Sequence, residues 1–379
     1  MEYKEYELGE LLYYEQPTPY IVESTDYNDA YETPVLTAGK SFILGYTDEK
    51  EGIYDQLPVI IFDDFTTASQ YVSFKFKVKS SAMKILTPVT ELVLPKYIYY
   101  RIQIIQFDHS THKRYWIQQY SKIRVSIPPI PEQECIVARI EELFSQLDAG
   151  VETLKKTKAQ LAVYRQAVLK EAFEGDYPRK QLKEFSKAIS GFAFKSSRYS
   201  PDGNYVVVKI GNVKERHFDF SRDLTKTLEA DDSILEKYLL RRGDCLITLT
   251  GSRGKRDYGF VAMVGNQNNY LLNQRVAALR FDQSVALPEF FRYYLASPSY
   301  RDMFFGYETG NVGQGNVGIK ALLDPYVILP DIDTQKRIIE DVEDRLSVCD
   351  SIEQTVDTAL QQAEAMRQSI LKDAFEGRL

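Results

Sequence analysis

The chain is poor in cysteine and lacks any long apolar run. Its three cysteines, Cys135, Cys245 and Cys349, are odd in number and scattered, which excludes a disulfide framework and indicates reduced thiols. No apolar run approaches the roughly 18 residues that a membrane-spanning helix needs. The opening MEYKEYELGELL also lacks the basic start and apolar middle of a signal peptide. These absences predict a cytoplasmic protein without a membrane segment.

Positive charge is in the minority as well, since the net charge is −7. That average argues against a nucleic-acid partner, but the charge is segregated along the chain. Residues 61–127 and 177–327 each carry a net charge of +6. Residues 1–60, 128–176 and 328–379 carry −10, −3 and −6. Because salt screens distant charges, the two basic segments can bind phosphate although the whole chain is acidic.

One segment occurs twice. Residues 127–175 align without a gap to residues 329–377, and their closing stretches, RQAVLKEAFEG and RQSILKDAFEG, differ only by conservative exchanges. The repeat divides the chain into two halves, each a globular block followed by one long helix. The predicted boundaries are 1–127 and 177–327 for the blocks, and 128–176 and 328–379 for the helices.

Both copies show apolar residues at seven-residue spacing, which predicts a coiled-coil seam. Helix starts are marked by Pro128, Pro129 and Pro131 and by Pro330. Gly175 and Gly377 are expected to end the helices in the left-handed conformation. The first seam row comprises Ile140, Leu147, Leu154, Leu161 and Val168 in one copy and Val342, Cys349, Val356, Ala363 and Ile370 in the other. The second row comprises Ile136, Leu143, Gly150, Thr157 and Tyr164, and Ile338, Arg345, Ile352, Ala359 and Met366.

The connectivity predicts the direction in which the helices pack. The first helix ends where the second block begins, and the second helix starts where that block ends. Parallel packing would need a traverse back along the whole helix, so antiparallel packing is favoured. We expect a pseudo-two-fold dumbbell whose two blocks are held a fixed distance apart.

Both blocks are rich in β-branched and aromatic residues, which predicts mixed, strand-rich domains. The fold class is therefore α+β, with two such domains separated by two long helices. Residues 287–297 are expected to form a short amphipathic helix. The predicted strands are 58–65, 71–78 and 97–107 in the first block and 204–213, 244–250 and 258–265 in the second.

Polar loops between these strands are candidates for DNA contact, although each could equally be a solvated turn. Hydroxyl and basic side chains suit phosphate, and amide or guanidinium groups suit base edges. The candidates are Lys40, Thr66, Thr67, Lys84, His112, Lys113, Arg114 and Tyr115 in the first block and Ser252, Arg253, Lys255, Arg256, Asn273, Gln274 and Arg275 in the second.

Several motifs occur in an order typical of one family. PPIPEQ (128–133) and its looser copy PDIDTQ (330–335) introduce the helices, and GDCLITLTGSRGK (243–255), NQRVAALR (273–280) and GNVGQGNVGIKALLDPYVILP (310–330) follow in the second block. With the order domain, helix, domain, helix, the chain resembles the specificity subunit of type I restriction–modification enzymes over essentially its whole length.

The resemblance implies two target-recognition domains that each read one half of a bipartite, asymmetric DNA site, and helices that set the spacer. It implies double-stranded DNA, two copies of a DNA adenine methyltransferase subunit and a restriction/translocase subunit as partners, in phage defence. S-adenosylmethionine would bind the methyltransferase subunits, and this chain would hold no cofactor or metal and carry out no catalysis.

Two other classes of function, an enzyme and a non-catalytic scaffold, agree less well with the sequence. For an enzyme, SIPPI (126–130) lacks the polar and aromatic residues of a methyltransferase motif, GNVGQG (310–315) is better explained as a flexible loop, and His109 with His112 lacks further metal ligands. Asp63–Asp64 likewise lacks the partners of a nuclease site. For a non-catalytic coiled-coil scaffold, we expect no salt-dependent affinity for DNA.

Overall fold

The chain divides into two compact units. In the computed structural model, residues 3–39, 41–107, 114–228, 231–311 and 313–379 are described. The first unit comprises Met1–Lys155 with Asp357–Leu379, and the second comprises Lys156–Val356. The end of the second helix therefore returns to the first block, as the antiparallel prediction requires.

The first unit begins with a strand-rich block that leads into a long helix. Its elements are β1 (Lys4–Glu7), α1 (Leu8–Leu11), β2 (Leu12–Glu15), β3 (Thr33–Leu36), β4 (Ile43–Thr47), β5 (Val59–Asp63), β6 (Ser69–Val72), β7 (Lys77–Val78), β8 (Met83–Pro88), α2 (Pro95–Gln103), β9 (Arg124–Ile127) and α3 (Ile130–Ala172), which continues into the second unit.

The second block repeats this plan with additions. Its elements are β10 (Arg179–Gln181), β11 (Ser186–Ser190), β12 (Tyr205–Val208), β13 (Lys226–Thr227), α4 (Asp232–Tyr238), β14 (Cys245–Thr248), β15 (Thr250–Ser252), β16 (Val261–Met263), β17 (Tyr270–Leu272), β18 (Val276–Phe281), α5 (Pro288–Tyr294), α6 (Pro298–Gly306), β19 (Gln314–Asn316), α7 (Ile319–Leu323), β20 (Tyr326–Ile328) and α8 (Ile332–Phe375), which ends in the first unit.

The two blocks share one sheet topology. Each contains a four-stranded antiparallel sheet, with order β2-β8-β5-β6 in the first block and β11-β18-β14-β16 in the second. Each also contains a three-stranded mixed sheet, β4-β3-β7 and β13-β12-β17, and a pair that closes the block, β1-β9 and β10-β20. The second block alone adds the two-stranded sheet β15-β19 among the described residues. The blocks are therefore structural repeats although their sequences differ.

One predicted strand is wrong. Most of residues 97–107 lies in α2, which begins at Pro95, a residue well suited to the first turn of a helix. Tyr97, Ile98 and Ile102 face the core from this helix. Aromatic and β-branched residues suggested a strand, but burial on one helical face decides the structure. The helix predicted at residues 287–297 is confirmed as α5.

The long helices pack antiparallel within each unit. In the first unit, Ile140 and Phe144 of α3 share a core with Leu371 and Ala374 of α8. In the second unit, Arg165 pairs with Asp350 and, further along α3, Glu171 pairs with Arg345, earlier in α8. The helices therefore run in opposite directions.

The residues of the first predicted seam row are less exposed than those of the second row. All ten residues of the first row are buried or half-buried, whereas Gly150, Tyr164, Ile352 and Met366 of the second row are exposed. Phe144 and Leu346, which follow Leu143 and Arg345 of the second row, are buried, whereas Leu143 and Arg345 are half-buried. Phe144 contacts the Tyr100 ring of α2, and Leu346 joins the main core of the second block. Packing against the blocks thus rotates the buried face of each helix.

The helix ends are anchored by equivalent aromatic residues. Phe173 packs edge-on against Phe290 of α5, and Phe375 packs edge-on against Tyr97 of α2, each with ring centroids 5.3 Å apart. Gly377 has the expected left-handed conformation, with φ of +69°. The same expectation for Gly175 is wrong, since it has no positive φ. A Cβ at Gly175 would lie 2.6 Å from the Tyr177 ring, so a larger residue there would require that ring to move.

Candidate nucleic-acid interface

In the first block, strand register brings the candidate loops to one end of the four-stranded sheet. The last residue of β5, Asp63, pairs with the first residue of β8, Met83. Phe62 pairs with Ser69, the first residue of β6. The loops 64–68 and 79–82 therefore leave the sheet at the same end. The sequence predicted contacts from both loops, and the fold places them side by side.

Asp64 joins these loops to a third one. Its backbone N–H donates to the Ala82 carbonyl at 3.0 Å, and its carbonyl accepts from the N–H of Tyr115 at 2.9 Å. Its carboxylate accepts from the Trp116 N–H at 2.8 Å and lies 3.3 Å from Lys84 Nζ. Asp64 is 1% exposed. A buried carboxylate with this many partners fixes the three loops relative to one another.

Two first-block candidates are consequently wrong as DNA contacts. Lys84 is 0% exposed, because its ammonium is held by Asp64 and by Gln16 Oε1 at 3.0 Å. Tyr115 is 1% exposed, and its ring packs edge-on against Phe107 at 4.8 Å. Both residues support the loops from inside.

The remaining first-block candidates are accessible or undescribed. Thr66 and Arg114 are exposed, and Thr67 is half-buried with φ of +57°, a left-handed conformation that is uncommon for threonine. The Asp63 carboxylate accepts the N–H of Phe65 and of Thr66, both at 2.9 Å, which holds this tight turn. Lys40, His109, His112 and Lys113 lie outside the described residues.

The second block gathers its loops at the same end of its own sheet. Thr248, the last residue of β14, pairs with Val276, the first of β18. The Leu249 N–H donates to the Arg275 carbonyl, and the Val317 N–H donates to the Leu249 carbonyl, both at 2.9 Å. Loops 249–259, 273–275 and 313–317 therefore meet, and a basic surface forms where they do.

Most candidates in the second block are exposed. Arg253, Lys255, Arg256, Gln274 and Arg275 are exposed, while Ser252 and Asn273 are half-buried. Arg256 and Arg275 have left-handed φ angles of +52° and +69°, so each sits at a sharp turn.

Several of these side chains are already paired within the protein. Arg256 pairs with Asp302 at 2.9 Å. Ser252 donates its hydroxyl to Asp257 at 2.8 Å. Hydrogen bonds from Ser252 hold the pKa of the Asp257 carboxyl below its usual value. Arg253 donates to the Gly310 carbonyl at 3.0 Å. Lys255, Gln274 and Arg275 are therefore the exposed candidates whose side chains have no hydrogen bond or ion pair among the described residues.

Arg301 of α6 holds the backbone of the basic loop, residues 249–259. The sequence did not indicate this role. Its guanidinium donates to the Gly259 carbonyl at 2.7 Å and to the carbonyls of Arg256 and Tyr258 at 3.1 Å. Burial lowers the pKa of this guanidinium. The only signal in the sequence is that Arg301 lies shortly before the glycine-rich segment 310–315.

The described residues show neither a cluster of metal ligands nor a helix suited to a membrane. No three His, Cys, Asp or Glu side chains among them are placed to hold a metal ion. In the part of the chain that the structure describes, no helix combines the length and apolar character needed to cross a membrane.

Comparisons with known proteins agree with this architecture. Residues 174–362 match the family model for the Type I restriction modification DNA specificity domain. The chain is 45% identical over 196 residues to the type I restriction enzyme EcoR124I/EcoR124II specificity subunit of Escherichia coli, covering 48% of each chain. It is 28% identical over 279 residues to the EcoKI specificity subunit of Escherichia coli strain K12, covering 69% of this chain and 58% of that one. The chain thus spans about half the length of the curated relatives it matches.

Solved structures show the same fold at low identity. One, described as the structural basis of complex assembly and conformational transition of the type I R-M system, aligns with a TM-score of 0.70 at 17% identity, covering 100% of this chain and 98% of that one. The HsdS subunit from Thermoanaerobacter tengcongensis aligns with a TM-score of 0.50 at 17% identity, covering 100% and 97%. With its two strand-rich blocks, its duplicated helices and these matches, the chain belongs to the family of type I restriction–modification DNA specificity subunits.

Proposed function

We propose that the chain is the DNA-sequence specificity subunit of a type I restriction–modification complex, in which each block reads one half of a bipartite site. The repeated sheet topology is the observation that carries this proposal. In both blocks, the loops between the strands of the four-stranded sheet gather at the same end. The two blocks therefore carry equivalent loops on equivalent sheets. Because the loop sequences differ, the two blocks would read different half-sites.

Exposed side chains of the second block would make two kinds of contact with DNA, one with phosphates and one with base edges. Lys255 and Arg253 suit phosphate, which fixes the position of the block on the duplex and makes the affinity depend on salt. Gln274 and Arg275 suit base edges, because an amide pairs with adenine and a guanidinium pairs with guanine in the major groove. Thr66 and Arg114 would contribute to the same surface in the first block.

The duplicated helices would set the unread spacer and dock the partner subunits. Two modification subunits would bind S-adenosylmethionine and methylate adenine, which they would flip out of the duplex. A restriction/translocase subunit would join them for cleavage. This chain would carry out no catalysis, and the complex would act in the cytoplasm against incoming phage DNA.

A block exchange tests the proposal in the reconstituted complex with its modification subunits. Replacing residues 177–327 with the corresponding block of a relative should change one half of the methylated sequence and leave the other half unchanged. Loss of both halves together would contradict independent reading. The scaffold alternative predicts that the complex shows no salt-dependent affinity for DNA, so a titration from low to high salt separates the two.

A further inference from the structure

The second block contains a two-stranded ribbon at its loop end. Strands β15 and β19 pair antiparallel, with Thr250 opposite Asn316, Gly251 opposite Gly315 and Ser252 opposite Gln314. Residues 310–315 were expected to be a flexible loop, yet 314–316 form a paired strand. The ribbon joins the basic loop to the glycine-rich segment, so it lies within the surface assigned to DNA.

Two glycines that pair with each other, Gly251 and Gly315, let the ribbon pack closely against the rest of the block. A Cβ at Gly251 would lie 2.6 Å from the Tyr258 ring, and one at Gly315 would lie 2.1 Å from Glu308 Oε1. Tyr258 is buried, and its hydroxyl donates to Glu308 at 2.5 Å. The inner face of the ribbon therefore rests on the Tyr258–Glu308 pair, and its other face carries the longer side chains.

That other face presents an amide with its hydrogen-bonding groups available. Gln314 and Asn316 are both exposed and flank the buried Gly315. Asn316 Oδ1 accepts from the Thr250 hydroxyl at 3.0 Å, which orients its side chain. No hydrogen bond within the described part of the chain engages the Gln314 side chain. Arg253, which follows β15, donates to the Gly310 carbonyl at 3.0 Å and so joins the end of β15 to the segment that precedes β19.

We propose that the β15–β19 ribbon is a base-reading element and that Gln314 reads an adenine in the major groove. This rests on the proposed function. The major groove is wide enough for a two-stranded ribbon, and a glutamine amide matches the donor and acceptor that adenine presents there. Because Gly251 and Gly315 pack directly on Tyr258 and Glu308, the position of the Gln314 amide relative to the block is fixed. Gln314 thus determines the specificity at one position of the half-site read by the second block.

The test uses the reconstituted complex and a library of DNA sites in which every base pair is varied, with adenine methylation as the readout. The wild-type chain should prefer adenine at one position of one half-site by about 5- to 100-fold. Gln314→Ala should remove that preference and leave all other positions unchanged. Gln314→Glu, which keeps the shape but only accepts hydrogen bonds, should shift the same position toward cytosine.

Gln283→Ala is the matched control. Gln283 is an exposed glutamine of the same block that follows the other end of β18, roughly 20 Å away along the strand. It should leave every position unchanged. The preference at the first half-site serves as an internal measure of folding for each variant.

The experiment separates a failure of the role proposed for Gln314 from a failure of the function proposed for the whole chain. Unchanged preferences in both Gln314 variants, or a uniform loss of methylation across all sequences, would overturn the reading role of Gln314 while the bipartite site of the wild-type complex stands. A wild-type complex that prefers no bipartite site would overturn the proposed function and, with it, the role of Gln314.

Discussion

The side-chain oxygen of Gln133 accepts the backbone N–H of Leu94 at 2.8 Å, and Gln335 makes the same bond to Leu287 at 2.8 Å. Both glutamines are 0% exposed. Each also donates to two carbonyls, one from the segment before α2 or α5 and one from the proline that precedes the long helix. Since the two occupy equivalent repeat positions, each block is locked to its helix by one duplicated clamp.

Replacing Gln133 with Leu should destabilise the first unit. The change removes three hydrogen bonds from a buried site and leaves their backbone partners unpaired, so we expect a loss of about 2–4 kcal/mol in the free energy of unfolding. Urea unfolding measures the loss, and hydrogen exchange of α2 localises it. Gln160→Leu, on the exposed face of α3, should change stability by less than about 0.5 kcal/mol. Equal effects of the two variants would exclude the clamp.

Lys84→Met should reduce stability without changing the salt dependence of DNA binding. It leaves the Asp64 carboxylate buried without its cation, which costs about 3–5 kcal/mol. Adding Asp64→Asn should restore part of that loss. Lys75→Met, which breaks an exposed pair with Asp55, should cost less than about 1 kcal/mol. A normal unfolding midpoint with a reduced salt slope would instead restore Lys84 as a phosphate contact.

Lys255→Ala should weaken DNA binding by the complex uniformly across sequences. Loss of one phosphate contact lowers the slope of log affinity against log salt by about 0.9. Arg242→Ala is the control, because Arg242 is an exposed residue before β14, at the other end of the sheet. A changed base preference in Lys255→Ala, or an equal change in the control, would contradict the phosphate role.

Thiol alkylation should distinguish the three cysteines. Cys135 is exposed, whereas Cys245 and Cys349 are buried. Burial also raises the pKa of the Cys245 thiol, which keeps it protonated and unreactive. Mass spectrometry after brief treatment with iodoacetamide should find Cys135 modified, and the other two only after denaturation. Rapid modification of Cys349 would mean that its face of α8 is not covered in the second unit.

The sequence predicted features whose signals are local. The seven-residue spacing of residues such as Ile140 and Val342 indicated the seam, and β-branched runs indicated β5 and β14. Helix α2 was not predicted, because aromatic and β-branched residues such as Tyr97, Ile98 and Ile102 are equally typical of a strand. A comparison of LPKYIYYRI with LPEFFRYYL in the second block would have found it.

The site was only partly predictable because its geometry depends on distant residues. Nothing near Lys84 in sequence shows that Asp64 faces it across two strands. Gln314 lies on a ribbon whose partner strand is distant in sequence, with Thr250 bonded to Asn316 across 66 positions. Non-local pairing of this kind decides which polar side chains are buried and which are presented.

The most direct test of the central claim lengthens both helices together. One heptad is inserted after Lys155 in α3 and one after Val356 in α8, where each helix passes between the two units. Seven residues add about 10 Å of helix, which corresponds to about three base pairs. Mapping of methylated adenines should find both half-sites unchanged and the spacer about three base pairs longer. An unchanged spacer would contradict the account that the duplicated helices set the distance between two reading blocks.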